Sequence, residues 1–163
     1  MDVKSRVSTY ISLLKDCAKK KDLHKGVRLH NEVMKHDLIR TNQSIATTLV
    51  CMYAKCGNLM DAHDVFDSLP KQNSVSWGAL FAGYALNGHG LHALELYREM
   101  IHKDLSPDEI VFSCILKAFT SIEGFNLGKV IHYEIVSRAL ELDVIVGNTL
   151  VDFYVKFGSM NDA

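Results

Sequence analysis

The strongest constraint on this chain is that it repeats itself. Apolar residues spaced i, i+3, i+4 and i+7 occur as Tyr10, Leu13, Leu14, Cys17, then Ala46, Leu49, Val50, Tyr53, then Trp77, Leu80, Phe81, Tyr84, then Phe112, Ile115, Leu116, Phe119, and last Gly147, Leu150, Val151, Tyr154. Each set is one apolar stripe of an amphipathic helix. Sixteen residues after each of the first four sets begins, a second stripe of the same spacing follows, led by a small residue: Gly26, Leu29, His30, Val33; Ala62, Val65, Phe66, Leu69; Ala93, Leu96, Tyr97, Met100; Gly128, Ile131, His132, Ile135. A small leading residue suits two helix axes that cross closely. Turn formers separate the stripes at Cys56-Gly57-Asn58, Asn87-Gly88 and Phe157-Gly158-Ser159, and Leu69-Pro70 and Ser106-Pro107-Asp108-Glu109 punctuate the junctions between pairs.

On this register the units start at Val7, Gln43, Ser74, Glu109 and Val144, with complete lengths of 36, 31, 35 and 35 residues. The expected organisation is a flank at 1–6, units at 7–42, 43–73, 74–108 and 109–143, and a truncated unit at 144–163. Units one and four share Gly-x-x-x-His (Gly26/His30, Gly128/His132), and units two and five share Tyr-x-Lys-x-Gly (Tyr53 to Gly57, Tyr154 to Gly158), so a higher-order repeat spans three units. The run Leu142 to Val146 has a strand-like composition, but the register places it at a junction entering a helix. A lone helical hairpin cannot bury its stripe, so successive hairpins stack. The expected fold is all-α, a right-handed superhelical solenoid of helix-turn-helix, TPR-like repeats.

The chain has 163 residues, 48% hydrophobic and 23% charged, enough for a sizeable core and too apolar for disorder. No stretch approaches the ~18 uninterrupted apolar residues of a membrane span, and Met1 to Arg6 holds no secretory apolar region. The net charge of -1 gives no global positive field, so a polyanionic partner must meet a local stripe of cations.

Chemistry-bearing constellations are sparse. Cys17, Cys51, Cys56 and Cys114 are unevenly spaced and read as reduced thiols, and no second CxxC or His pair completes a tetrahedral zinc site around Cys51 and Cys56. His30 and His132 occupy equivalent core-facing positions, which suits packing with one hydrogen bond to a neighbouring helix. The register likewise makes Tyr53, Trp77, Tyr84, Tyr97 and Tyr154 core residues rather than stacking platforms. Neither half of the zinc-deaminase pattern, His-x-Glu and Pro-Cys-x-x-Cys, is present. No catalytic residue, metal or cofactor is expected.

Several segments carry a family likeness: Leu49-Val50-Cys51-Met52-Tyr53-Ala54-Lys55-Cys56-Gly57, Asp61-Ala62, Val65-Phe66-Asp67, Val75-Ser76-Trp77, Ala93 to Met100, and Pro107-Asp108-Glu109. The chain resembles the plant pentatricopeptide-repeat (PPR) family in its PLS subfamily, with repeats in the order long, short, standard, long, short. That resemblance implies sequence-specific binding of single-stranded RNA in mitochondria or chloroplasts, one repeat per nucleotide, 5′ to 3′ along the chain, in factors that direct cytidine-to-uridine editing. No transit peptide is expected within this stretch.

If positions 4, 7, 8 and 11 of a unit face the core, positions 2, 5, 9 and 12 form the opposite face of its first helix. Position 5 is Ile11, Thr47, Gly78, Ser113 and Asn148, and the last residue of each complete unit is Asn42, Asn73, Asp108 and Asp143. The resemblance makes these the base readers: Thr47 with Asn73 an adenine reader, Asn148 a pyrimidine reader, and a final Asp a partner of guanine or uracil. Position 2, the base sandwich in the family, is Ser8, Ser44, Val75, Ile110 and Ile145, where the aliphatics suit stacking better than the serines. Lys19, Lys55 and Lys156, with Lys15 and Lys117 one turn back, are the expected phosphate contacts; Leu86 and Ser121 interrupt the series.

A rival of a different class is a protein-interaction scaffold that docks accessory editing factors, favoured by the near-neutral charge and by Ser8 and Ser44. The fifth unit lacks a second helix over Leu150, Val151 and Tyr154, so self-association through it is also expected.

Overall fold

The computed structural model describes residues 3–158 and divides into two compact units, Met1–Gly83 and Tyr84–Ala163. The last stretch of the fifth repeat, 159–163, and the first two residues of the flank lie outside the described residues. All regular structure among them is helical: α1 (Val3–Lys20), α2 (Leu23–Lys35), α3 (Leu38–Thr41), α4 (Gln43–Lys55), α5 (Leu59–Asp67), α6 (Ser74–Leu86), α7 (Gly90–His102), α8 (Glu109–Ser121), α9 (Phe125–Ser137) and α10 (Val144–Lys156).

Four first helices begin at the residues that open the sequence units: Gln43, Ser74, Glu109 and Val144. Their starts are fixed by caps, because the first N–H groups of a helix lack intrahelical partners. Asn42 accepts from the Ile45 N–H, Asp108 from Val111, and Asp143 from Ile145 and Val146. Two elements differ from the sequence reading. The helix α1 opens at Val3, ahead of Val7, and a short α3 lies between α2 and α4 with Leu38 and Ile39 buried.

The turn inside each hairpin needs a left-handed residue at one register position. Gly57, Gly88 and Gly158 fill it with φ of 83°, 74° and 71°, whereas Lys21 and Glu123 fill it in the first and fourth repeats with φ of 54° and 53°. A side chain there costs about 1–2 kcal/mol that glycine does not incur.

In the first compact unit α4 packs on α1 and α5, and in the second α8 packs on α7, α9 and α10. Most stripe residues are buried, while Tyr10, Leu13, His30, Tyr97, His132 and Gly147 are half-buried. The stripes also understate the core. Ile45, Met52, Val111, Ala118, Val146 and Phe153 are fully buried on a second ridge, because a first helix packs on neighbours to both sides. On α10 this shifts the buried set to Val146, Leu150, Phe153 and Tyr154 and leaves Val151 47% exposed. The expected exposure of Leu150 and Tyr154 is therefore corrected: both are buried within the second unit, and Val151 alone of the three stands open.

The two paired sequence signatures interlock. A Cβ added at Gly26 would meet the Met52 methyl at 2.7 Å, and one at Gly128 would overlap the Phe153 ring. One turn on, His30 Nδ1 lies 2.7 Å from the Tyr53 hydroxyl and His132 Nδ1 lies 2.7 Å from that of Tyr154, each ring pair edge-on. Gly-x-x-x-His on one hairpin thus receives the bulky residue and tyrosine of the next, twice in the chain. These histidines serve packing, as their register implies.

Candidate nucleic-acid interface

The candidate readers at unit ends turn out to be helix caps, and capping decides what each has left to offer. An atom that accepts from a backbone N–H must be the oxygen, so Asn42 and Asn73 spend Oδ1 on the cap and retain an amide Nδ2 with two donors. Asp108 and Asp143 spend one carboxylate oxygen and retain a second acceptor. Asn73 is held most completely. Its Oδ1 accepts from the Ser76 N–H at 2.9 Å, its N–H donates to Ser76 Oγ at 3.0 Å, and Ser76 Oγ donates to its carbonyl at 2.9 Å.

One groove of about 740 Å³ in the first compact unit gathers much of the second repeat's expected site. The helix α4 contributes Gln43, Ser44, Thr47, Thr48, Cys51 and Lys55; α1 contributes Lys15, Ala18 and Lys19; and Asn73 and Val75 close it. Thr47 is half-buried, with no hydrogen bond from its hydroxyl among the described residues, so both Thr47 Oγ1 and Asn73 Nδ2 are available to a ligand. Thr48 is spent on the Ser44 carbonyl at 2.7 Å. Three ammonium groups line the groove without a carboxylate, and among the described residues none of the three is in an ion pair. The neighbouring Lys20 differs in that Asp16 holds it at 3.0 Å. Burial pushes the Cys51 thiol up, so it stands in the groove as a neutral group.

The other expected site residues are placed less uniformly. Val75, Ile110 and Ile145 are 62%, 49% and 51% exposed, aliphatic side chains standing in water at one register position, and Ser8 and Ser44 are exposed there too. Ile11 is half-buried on α1 and Gly78 is buried on α6. Ser113 is 3% exposed with no partner for its hydroxyl, so as placed it is turned away from solvent, unlike Thr47 at the same position. Asn148, Lys117 and Lys156 are exposed in the second unit, with Asp152 exposed between Asn148 and Lys156 on α10.

Gln43 and Ser76 were not anticipated in the site. The second was legible as a polar residue three positions after a cap, the spacing of a capping box. The first shows itself only through the fold, where its side-chain amide donates to the Lys71 carbonyl at 2.8 Å across the groove's edge. Among the described residues, no three His, Cys, Asp or Glu side chains are grouped to hold a metal ion, and no helix is long and apolar enough to cross a membrane.

Hairpins of this pattern, capped at each junction and presenting a lysine-lined groove, define a helical-repeat protein. Models of the PPR repeat match residues 8–38 and 44–74, a model of the PPR repeat family matches 72–121, and the chain belongs to that family. A mitochondrial pentatricopeptide repeat-containing protein of Arabidopsis thaliana is 37% identical over 164 residues, covering 98% of this chain and 21% of the relative. A chloroplastic one from the same plant is 39% identical over 156 residues, covering 96% and 21%. The chain thus spans about a fifth of these relatives, which are named for their repeats and for no catalytic activity. Among solved structures, maize PPR10 matches with a TM-score of 0.71, and PPR10 in complex with an 18-nt psaJ RNA element with 0.80. Each is 19% identical and covers 99% of this chain, about a quarter of the other, which establishes the helical-repeat fold.

Proposed function

We propose that this chain is a single-stranded RNA recognition segment of an organellar RNA-processing factor, of the PLS type that directs C-to-U editing, reading one nucleotide per repeat. The observation that carries the reading is the groove that joins Thr47 Oγ1, Asn73 Nδ2, Ser44 and Val75 to the ammonium groups of Lys15, Lys19 and Lys55. The RNA bound by maize PPR10 and the mitochondrial and chloroplastic relatives support the polymer and the compartment.

The caps give the selectivity a chemical basis. A retained amide donor, as on Asn42 and Asn73, matches the ring-nitrogen acceptor of adenine or cytosine. A retained carboxylate oxygen, as on Asp108 and Asp143, matches the ring N–H of guanine or uracil. Thr47 beside Asn73 favours adenine. With Ser113 inside the protein, the fourth repeat reads through Asp143 alone. Stacking at about 1–3 kcal/mol per base, less the cost of association, gives a short array weak affinity, so binding is sought at low salt.

The test is fluorescence anisotropy on uridine octamers carrying one central A, C or G. Adenine is preferred, affinity falls steeply with salt, and Thr47→Asn moves the preference toward a pyrimidine. Affinity that is flat across bases and salt refutes RNA reading. It would favour protein docking, for which the exposed Val130, Tyr133 and Val136 stripe on α9 is the supporting feature.

A further inference from the structure

The four caps are not held alike, and the difference falls on the residue that the groove presents. Asn42, Asp108 and Asp143 are each followed at the third helical position by an aliphatic residue, Ile45, Val111 or Val146, which gives the cap a backbone N–H and nothing else. Asn73 is followed there by Ser76, fully buried, whose hydroxyl both receives the Asn73 N–H and donates to the Asn73 carbonyl. Main chain and side chain of Asn73 are therefore fixed against one buried residue. A second tie acts just upstream, where Gln43 Nε2 holds the carbonyl of Lys71, two residues before Asn73. Gln43 opens the helix that carries Thr47, so this bond links the two halves of the reader, one on α4 and one on the approach to α6.

We propose that Ser76 and Gln43 are positioning residues for base selection: they preset the Asn73 amide against Thr47, and the second repeat is consequently the most discriminating position in the chain. The proposal rests on the RNA reading above. Its physical basis is preorganisation, since a donor already fixed at the correct distance rejects a mismatched base edge, whereas a cap free to rock re-aims its amide to suit either. Neither residue touches the base; each acts through Asn73.

The variants follow from the chain itself. Ser76→Val installs the residue that α8 and α10 carry at the same position, Val111 and Val146, and leaves the backbone donor of the cap in place. Gln43→Leu keeps about the size of the side chain, removes its amide donor and adds no charge beside the groove lysines. Anisotropy is read on uridine octamers with one central A or C, and on plain uridine octamer as the reference, with circular dichroism melting to confirm that each variant is folded. The expected result is a ratio of adenine to cytosine affinity reduced about three- to tenfold in each variant. Affinity for plain uridine octamer is unchanged within about twofold in Ser76→Val, whose site is buried outside the groove lining, and falls by less than the ratio does in the Gln43 variant, whose side chain lines the groove. Equal weakening toward all three RNAs would mean a merely structural role and overturns the proposal. A wild-type preference that persists in both variants also overturns it and leaves RNA reading standing. A wild-type protein without preference overturns both.

Discussion

The junction glycines allow a comparison in which one substitution, made twice, has different outcomes. Alanine in a helix interior is favoured over glycine by about 1 kcal/mol, so Gly26→Ala and Gly128→Ala start with the same gain. At Gly26 the new methyl meets the Met52 thioether, an unbranched side chain with rotatable bonds to spare, and a shift of its end costs about 1 kcal/mol. The expected net change is near zero. At Gly128 the methyl overlaps the ring of Phe153, which is fully buried and braced by Phe125 at 6.0 Å, Tyr154 at 5.3 Å and Phe157 at 4.9 Å. That ring cannot swing aside, so α10 must move and strain the His132 to Tyr154 hydrogen bond. Overpacking plus that bond brings the net loss to about 2–3 kcal/mol. Thermal unfolding followed by circular dichroism reads this as a midpoint lowered by about 5–10 °C for Gly128→Ala against a shift of about 2 °C or less for Gly26→Ala. Phe153→Leu in the Gly128→Ala background recovers part of the loss, because the two positions couple. Equal shifts for the two alanine variants would refute the reasoning.

Four further outcomes are expected. Glu123→Gly and Lys21→Gly each raise stability by about 1 kcal/mol in urea unfolding, because both positions hold left-handed backbone that glycine adopts freely. Lys19→Ala with Lys55→Ala weakens every RNA octamer to a similar extent and reduces the slope of log affinity against log salt by about 0.7 per lysine, whereas a change confined to one base would contradict phosphate contact. Burial holds the His30 imidazole below its usual pKa of 6.5, so as pH falls below that value the unfolded chain takes up a proton that the folded one resists. Stability therefore falls on acidification from about pH 7 to about pH 5, and by less in His30→Asn, as unfolding at the two pH values would read. Val151 and Val155 are 47% and 50% exposed on α10 while their counterparts Val50 and Ala54 on α4 are buried, so light scattering should detect concentration-dependent association that Val151→Glu abolishes. A clean monomer at high concentration would contradict it.

Helix register was legible because a hairpin array imposes one spacing many times over, and four helices start at Gln43, Ser74, Glu109 and Val144, where that spacing puts a helix start. The family resemblance singles out Thr47, Asn73, Ser44, Val75, Lys19 and Lys55, and all six line one groove. Periodicity did not reveal the second buried ridge: the stripe on α10 includes Val151, 47% exposed, and omits the fully buried Phe153, since a single stripe cannot register neighbours on both sides of a helix. Nor did it separate Ser113 from Thr47: both are small hydroxyl residues at one register position, and their exposure is set by packing around them. The unit-end Asn and Asp residues were read only as surface donors and acceptors. Helix termini require caps there too, and that requirement leaves Asn a donor and Asp an acceptor.

The most direct test of the base-reading groove is Asn73→Asp, which keeps the cap oxygen and the shape of the side chain and exchanges one amide nitrogen for oxygen. On uridine octamers with a single central A or G at low salt, the preferred base should change from adenine to guanine. A protein that still prefers adenine, or that shows no preference before and after the exchange, would contradict reading by the Asn73 side chain.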